Sequence, residues 1–306
     1  MDLNYYLVDV FTDTPFSGAQ IAVFPDAHSV SQRDRELIAN ELNLWETVFI
    51  TGSDNASRFQ LKVQTPQKET SIGAHTTIAA SYTLAKSGAL KSQDSAPIFF
   101  ENNNEEQTIY VTYDKGEIKQ TLLTSRVTPQ VDRFTPTKEE LAEILNLNPN
   151  QLRDKRYAPL IVSCETAYLI IPVKSLQAVV EARFNYQAWS TSTAPATFAQ
   201  EILLFCTETE HSLTDFHLRL LGPSIGRLED PPVGASTPAF AAYLCDHKHI
   251  KPGTHVFAVE RGLEQARQSI LHLEMDNKGE STLTVRVGGS AVFTGEGKIH
   301  LKKNAE

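Results

Sequence analysis

The stretch Gly73-Ala74-His75-Thr76-Thr77-Ile78-Ala79-Ala80-Ser81-Tyr82 reads as the start of a helix. A glycine turn leads to a histidine, two threonines and an apolar run. The pattern returns as Gly234-Ala235-Ser236-Thr237-Pro238-Ala239-Phe240-Ala241-Ala242-Tyr243. At an offset of 161 residues, five of the ten positions are identical. Each copy follows acidic residues: Glu69 before the first, Glu229-Asp230 before the second. A helix entry repeated in this way divides the 306-residue chain into two related halves.

The first N–H groups of a helix have no intrahelical partner, and the helix dipole places positive charge there. Two such entries facing one cleft would hold an anion, most simply a carboxylate. Glycine at the entry lets the ligand approach the backbone. The expected ligand contacts are Gly73, Ala74 and Thr76 in the first copy and Gly234, Ala235 and Ser236 in the second. The bland alternative is two ordinary buried helices capped by Thr or Ser. The repetition, with acidic residues and a histidine beside it, favours a site.

Hydrophobic residues make up 41% and charged residues 21%, which suits a globular chain with ample core. A net charge of −9 speaks against a general nucleic-acid binder or a partner of anionic membranes. Cys164, Cys206 and Cys245 are far apart, lie in apolar contexts and lack metal-ligand spacing. They read as buried, reduced thiols of a cytoplasmic protein. The N-terminus has no basic segment followed by an apolar run and reads as a first strand rather than a signal peptide. No window is long enough to span a membrane.

Strands are expected at Tyr5–Phe11, Ile21–Phe24, Glu46–Ile50 and Arg58–Thr65, where Phe59, Leu61 and Val63 alternate with polar residues. Ser31 opens a short helix to Leu42, and the His75 helix should stop near Ser87-Gly88. Three strands follow, near Pro97–Glu101, Gln107–Tyr113 and Glu117–Leu123, the last two joined by a hairpin turn at Asp114-Lys115-Gly116. Thr124–Pro136 reads as a linker, which puts the halves at residues 1–125 and 126–306, with the last strands able to return to the first half. Thr137 and Glu140 form a capping box. Beyond it, strands near Leu160, Tyr168, Ile202 and Phe216 lead to the second helix, with Ser175–Ala182 a short helix and Thr191–Pro195 a loop. Four more strands close the chain. The pattern is α+β, mixed sheets around one long helix per half, rather than a doubly wound sheet.

Four motifs fall in one order: DVFTDTPFSGAQIAVF (residues 9–24), NLWETVF (43–49), TPQKETSIGAHTTIAA (65–80) and GPSIGRLEDPPVGASTPAFAAYL (222–244). Together they resemble the phenazine-biosynthesis PhzF-like proteins over roughly residues 7–244. The resemblance implies the diaminopimelate-epimerase fold: two pseudo-symmetric halves, each a sheet rolled around a central helix. The namesake isomerises trans-2,3-dihydro-3-hydroxyanthranilate without a cofactor. By this resemblance the acid/base glutamate falls on Glu46, the active-site histidine on His75 and the aspartate on Asp230, with Gly18 a substrate contact. A homodimer is implied by analogy. The pattern departs at Trp45, where the family has Ser, at Ala19, where it has Asn, and at Val233 and Ala235, where hydroxyls are lost. Related epimerases carry one thiol at each helix entry; Gly73 and Val233 occupy those places, which excludes two-thiol racemisation.

Moving a proton between carbons needs a group that takes it and returns it, and a carboxyl shielded from water does this well. Glu46 lies between Leu44-Trp45 and Val48-Phe49, an apolar setting for a glutamate. Its bland reading is a solvent-facing strand-edge residue. His75 is either a neutral catalytic imidazole or a capping residue, and Asp230 is either a partner of His75 or substrate or a turn residue before Pro231-Pro232. His247-Lys248-His249 reads as a solvated loop with no metal. Two functions follow: a cofactor-independent isomerase of a small amino or hydroxy carboxylic acid, or a non-catalytic relative that binds a small carboxylate as a sensor or partner protein.

Overall fold

The helix that starts after Gly73 is almost wholly removed from water, and the first half is built around it. In the computed structural model it spans Ala74–Lys86, and eleven of its thirteen residues, Ala74 to Leu84, are buried. Alanine, serine and threonine keep it narrow, so strands can close on several sides. The structure describes all residues except 56, 91–96, 103–104, 154–155, 224, 226–232, 264–265 and 302–306, and omits the side chains of 54, 55 and 105. The chain divides into two compact units, Met1–Thr124 with Val287–Glu306, and Ser125–Arg286.

The first unit contains β1 (Asp2–Val10), β2 (Ala19–Phe24), α1 (Gln32–Leu42), β3 (Glu46–Asn55), β4 (Arg58–Gln64), β5 (Glu69–Thr70), α2 (Ala74–Lys86), β6 (Ile98–Asn102), β7 (Glu105–Asp114) and β8 (Glu117–Val127). β1 runs antiparallel to β2, β2 parallel to β3, β3 antiparallel to β4 and β4 parallel to β6. β6, β7 and β8 continue antiparallel. α2 packs on β1, β2 and β3. Ser31 caps α1 by accepting the Asp34 N–H, and Asn43 ends it with φ 49°. Lys115 and Gly116, at φ 52° and 88°, make the expected hairpin turn.

The second unit contains β9 (Gln130–Asp132), α3 (Lys138–Ile144), β10 (Leu160–Ser163), β11 (Ala167–Pro172), α4 (Leu176–Glu181), α5 (Tyr186–Thr191), β12 (Glu201–Cys206), β13 (Phe216–Leu221), α6 (Thr237–Cys245), β14 (Gly253–Arg261) and β15 (Ser269–Asn277). β16 (Leu283–Gly289) leads out of it, and β17 (Ala291–His300) pairs with β1 in the first unit. β10 to β14 run antiparallel, parallel, antiparallel and parallel in succession. That repeats the order found along β1, β2, β3, β4 and β6. α6 has seven buried residues and packs on β10, β11 and β15. The fold is therefore α+β, with two units of matching topology, each a mixed sheet around a buried helix.

β11, β12 and β13 are buried along their whole length, with Glu201, His217 and Arg219 the charged or polar side chains among their apolar residues. Phe240 of α6 meets Phe205 and Phe216 edge-on, with ring centroids 5.1 and 5.2 Å apart. Arg219 is fully buried, and its Nη1 donates to the Val179 and Ala182 carbonyls at 2.7 and 3.0 Å. It thereby satisfies the end of α4, where carbonyls lack intrahelical partners.

Two readings of the sequence are corrected. The expected linker Thr124–Pro136 holds the end of β8 and the whole of β9, which pairs with β10. Its residues alternate only between exposed and half-buried, so the sequence carries no strand signal and the neighbouring edge supplies the structure. The expected Thr191–Pro195 loop is shorter, because a helix, α5, takes in Thr191 and a 3-10 turn spans Ala194–Ala196; Asn185 caps α5 and Trp189 anchors it in the core. Among the described residues no helix is long and apolar enough to cross a membrane.

Glu260 gives the second unit a pH-dependent tie. Burial pushes its carboxyl up, but bonds from His217, the Glu210 and His211 N–H groups and Thr214 outweigh this and hold it at about 2. Its ordinary value is 4.5, so its contribution is complete above about pH 4.5 and is lost as pH falls through about 2. Glu260→Gln places an amide N–H against a set of donors. We expect it to cost about 3 kcal/mol at pH 7, with the difference from wild type shrinking between pH 4.5 and 2 in urea unfolding. An equal difference at every pH would exclude the ionised carboxylate as the source.

Candidate active site

Glu46 is the first residue of β3, where it faces Ile21 of β2 across the parallel pairing. Only 7% of it is exposed, and Val48 and Phe49 beside it are fully buried. A carboxylate in such a place needs a partner to offset lost hydration. The partner is His75 in the first turn of α2, whose Nε2 is hydrogen-bonded to Glu46 Oε2. His75 is itself 4% exposed. With Glu46 ionised, Nε2 donates and Nδ1 remains as an acceptor. Nδ1 is buried and has no hydrogen-bond partner among the described residues. One face of the pair is thus satisfied internally, while the ring keeps one polar atom uncommitted.

Gly73 makes room for this ring. A Cβ there would lie 3.0 Å from His75 Cε1 and 3.4 Å from Nδ1. Gly73 is the N-cap, in extended conformation, and offers no side-chain acceptor to the N–H groups of the first turn. Thr76 instead closes the entry on itself. Its hydroxyl accepts the Gly73 N–H and donates to the Gly73 carbonyl, both at 2.9 Å. The Thr77 hydroxyl donates to the Ala74 carbonyl. The hydroxyl of Thr76 therefore shapes the entry, and the backbone of Ala74 and its neighbours carries the dipole's positive end.

Gly18 stands just before β2, at φ 68°, and a Cβ there would be 2.2 Å from the Val10 carbonyl oxygen. Only glycine fits this turn. Phe11 and Phe16 also take positive φ, 63° and 68°, so the connection from β1 to β2 is tightly bent. Its anchor is Asp9, fully buried in β1, which accepts the Phe16 N–H at 2.8 Å. The sequence reading missed Asp9. The available signal was a carboxylate set inside the apolar strand Leu7-Val8-Asp9-Val10-Phe11.

In the second unit, Val233–Ser236 form a 3-10 turn that leads into α6. Gly234 and Ser236 are buried and Ala235 is exposed. The Ser236 hydroxyl donates to the Val233 carbonyl at 2.8 Å, and that of Thr237 to the same oxygen at 3.1 Å. The second entry thus differs from the first, where the α-helix begins directly after an extended glycine. Asp230 lies outside the described residues. Burial pushes the three thiols up, Cys164 and Cys206 to about 12 and Cys245 to about 11, so none is a ready thiolate. His247 is not fully solvated: its ring packs on Tyr243 with centroids 4.6 Å apart. No group of metal-ligating side chains occurs among the described residues.

Glu46 and His75 are 29 positions apart in sequence and are brought together by β3 and α2. A buried carboxyl bonded to an imidazole at a helix start can exchange a proton beside a bound anion. Known proteins share this fold. The Bacillus anthracis phenazine biosynthesis protein of the PhzF family matches 98% of this chain and all of its own, with a TM-score of 0.86 at 24% identity. A Mesorhizobium japonicum protein named as an uncharacterized isomerase is 29% identical over 97% of this chain and 99% of its own. The trans-2,3-dihydro-3-hydroxyanthranilate isomerase of Pseudomonas chlororaphis is 22% identical over 97% of this chain and 99% of its own. The family described as phenazine biosynthesis-like protein matches residues 8–297, and this chain belongs to it.

Proposed function

We propose that the chain is a cofactor-independent isomerase that moves a proton between carbons of a small amino or hydroxy carboxylic acid. The observation that carries this reading is the buried hydrogen bond between Glu46 and His75 at the entry of α2. Family membership and relatives named as isomerases support the reaction class.

In this reading the substrate carboxylate lies against the first N–H groups of α2, near Gly73, Ala74 and His75, where the dipole favours negative charge. Gly18, Gly234, Ala235 and Ser236 are further substrate contacts. Glu46 removes a proton from a carbon next to an unsaturated group. The electron pair shifts along the conjugated system, and the proton returns at another carbon. The composition of the substrate does not change. His75 orients the Glu46 carboxyl, and its Nδ1 is left to accept a substrate hydrogen bond. Asp230 joins the site on its motif alone. Burial of the pair excludes competing water, which makes each charge interaction stronger.

Glu46→Gln keeps the size of the side chain but cannot cycle a proton. We expect ligand binding to survive and turnover to fall by about two to four orders of magnitude. In heavy water, wild type should place deuterium on carbon in a panel of small unsaturated amino and hydroxy acids, and the variant should not. Full activity in the variant would remove Glu46 from the mechanism. Absence of exchange across the panel, with binding retained, would identify a carboxylate-binding relative instead.

The helix entry is tested separately. Small carboxylates should raise the unfolding temperature of wild type in a saturable way. Gly73→Val crowds the His75 ring and blocks the backbone, so the shift should vanish. Equal shifts in both proteins would put the ligand elsewhere.

A further inference from the structure

The segment that carries the chain from the first unit's sheet to His75 is tied down by side chains that the proposed reaction leaves unused. A strand has two edges, and β3 takes one edge of β4, from Thr47 opposite Gln64 to Asn55 opposite Arg58. β5 and β6 therefore share the other edge. β5 runs antiparallel to β4 at Val63 and Gln64, and β6 runs parallel to it from Arg58 to Gln60. The two approach each other along β4, so the end of one meets the end of the other. With that edge occupied ahead of it, the chain leaves the sheet after Thr70 and passes through Ser71 and buried Ile72 to Gly73 and α2.

Asn102, the last residue of β6, stands at this junction and is buried. Its Nδ2 donates to the Thr70 carbonyl at 3.3 Å, and its Oδ1 accepts from Lys62 Nζ at 3.1 Å. Lys62 Nζ also pairs with Glu69 Oε1 at 3.2 Å. Lys62 and Glu69 are diagonal neighbours on one face, because Glu69 is opposite Gln64, two positions from Lys62 along β4. β5 is only two residues long, shorter than a strand that ladder bonds alone hold well. The amide and the ammonium thus tie both of its residues, Glu69 by its side chain and Thr70 by its backbone.

The place where β5 stops decides where His75 starts. Glu46 is carried by β3 on one edge of β4, and His75 by the helix that follows β5 on the other. Their hydrogen bond closes that path. We propose that Asn102 and Lys62 are positioning residues, which lock Glu69 and Thr70 along β4 and so set the depth at which His75 meets Glu46. The inference rests on the proton-transfer reading of that pair and deepens it. It assigns neither residue to the chemistry itself.

The test reads the imidazole directly, by nitrogen-15 NMR of histidine-labelled protein, with the His75 signals assigned by their loss in His75→Gln. In wild type, bonded to ionised Glu46, His75 is expected with its proton on Nε2. Asn102→Leu is similar in size and removes both bonds. It should admit the Nδ1-protonated tautomer and lower deuterium incorporation from heavy water by about ten- to hundred-fold, the usual effect of a small misplacement. Lys62→Met should act in the same direction and serves if the leucine variant does not fold. Lys62→Arg, which restores a charged donor, should return the wild-type signals. Ser31→Ala removes the cap of α1 and weakens the same unit, and should leave His75 unchanged. Mixed tautomers in wild type, the Nε2 form alone in both the leucine and methionine variants, or an equal change in Ser31→Ala would each overturn the proposal. A tautomer change in the variants with no deuterium exchange in any of the proteins upholds the positioning and sinks the isomerase reading instead.

Discussion

A helix enclosed by strands must be narrow, and its polar ends must be satisfied without bulk water. α2 meets the first demand with Ala74, Ala79, Ala80 and Ser81 on a cylinder buried from Ala74 to Leu84. It meets the second only in part: the Thr76 and Thr77 hydroxyls bond back to Gly73 and Ala74, and Gly73 offers no side chain to the first-turn N–H groups. The backbone N–H groups of the first turn thus keep the positive end of the dipole uncapped by Gly73. Much of the unit's chemistry follows from that constraint, because an enclosed helix brings its positive end and its side chains to one place.

Glu46 and His75 add a second constraint. Either group alone would be an expensive buried polar residue, and together each offsets the other's lost hydration. The cost is tolerable only with tight positioning, which Gly73 gives by leaving space for the imidazole. The bent connection after β1 is fixed by a similar device: a buried acid, Asp9, and a glycine, Gly18, that no side chain can replace. Glu201 and Gly222 make a third acid–glycine pair. Glycine's lack of a Cβ is used each time to seat an adjacent backbone or polar group closely.

The matching order of parallel and antiparallel pairings explains why the two units share a plan while differing in detail. Strand order and the position of the buried helix repeat, but the entries diverge. α2 starts from an extended glycine, whereas α6 starts from a 3-10 turn followed by Pro238. Such divergence is what one expects when the fold is held by the sheet and the helix, which leaves the entry residues free to differ.

The sequence by itself determined the α+β class, the repeated helix entry, the caps at Ser31 and Thr137, and most strands, because apolar period and cap chemistry are local. Motifs also singled out Glu46, His75 and Asp230 as candidate catalytic residues, with Asp230 rather than Glu46 the suggested partner of His75. β9 and α5 were not legible, since one borrows its structure from an edge strand and the other from the packing of Trp189. Asp9 was missed because a lone acid in an apolar strand says nothing of which N–H it meets. Only the tertiary structure decided that Glu46 Oε2 bonds His75 Nε2, and that Glu201 heads β12 as Glu46 heads β3, each facing a parallel neighbour in its own unit. The physical reason is that the first depends on how a helix packs beside a strand and the second on strand pairing, both between residues distant in sequence.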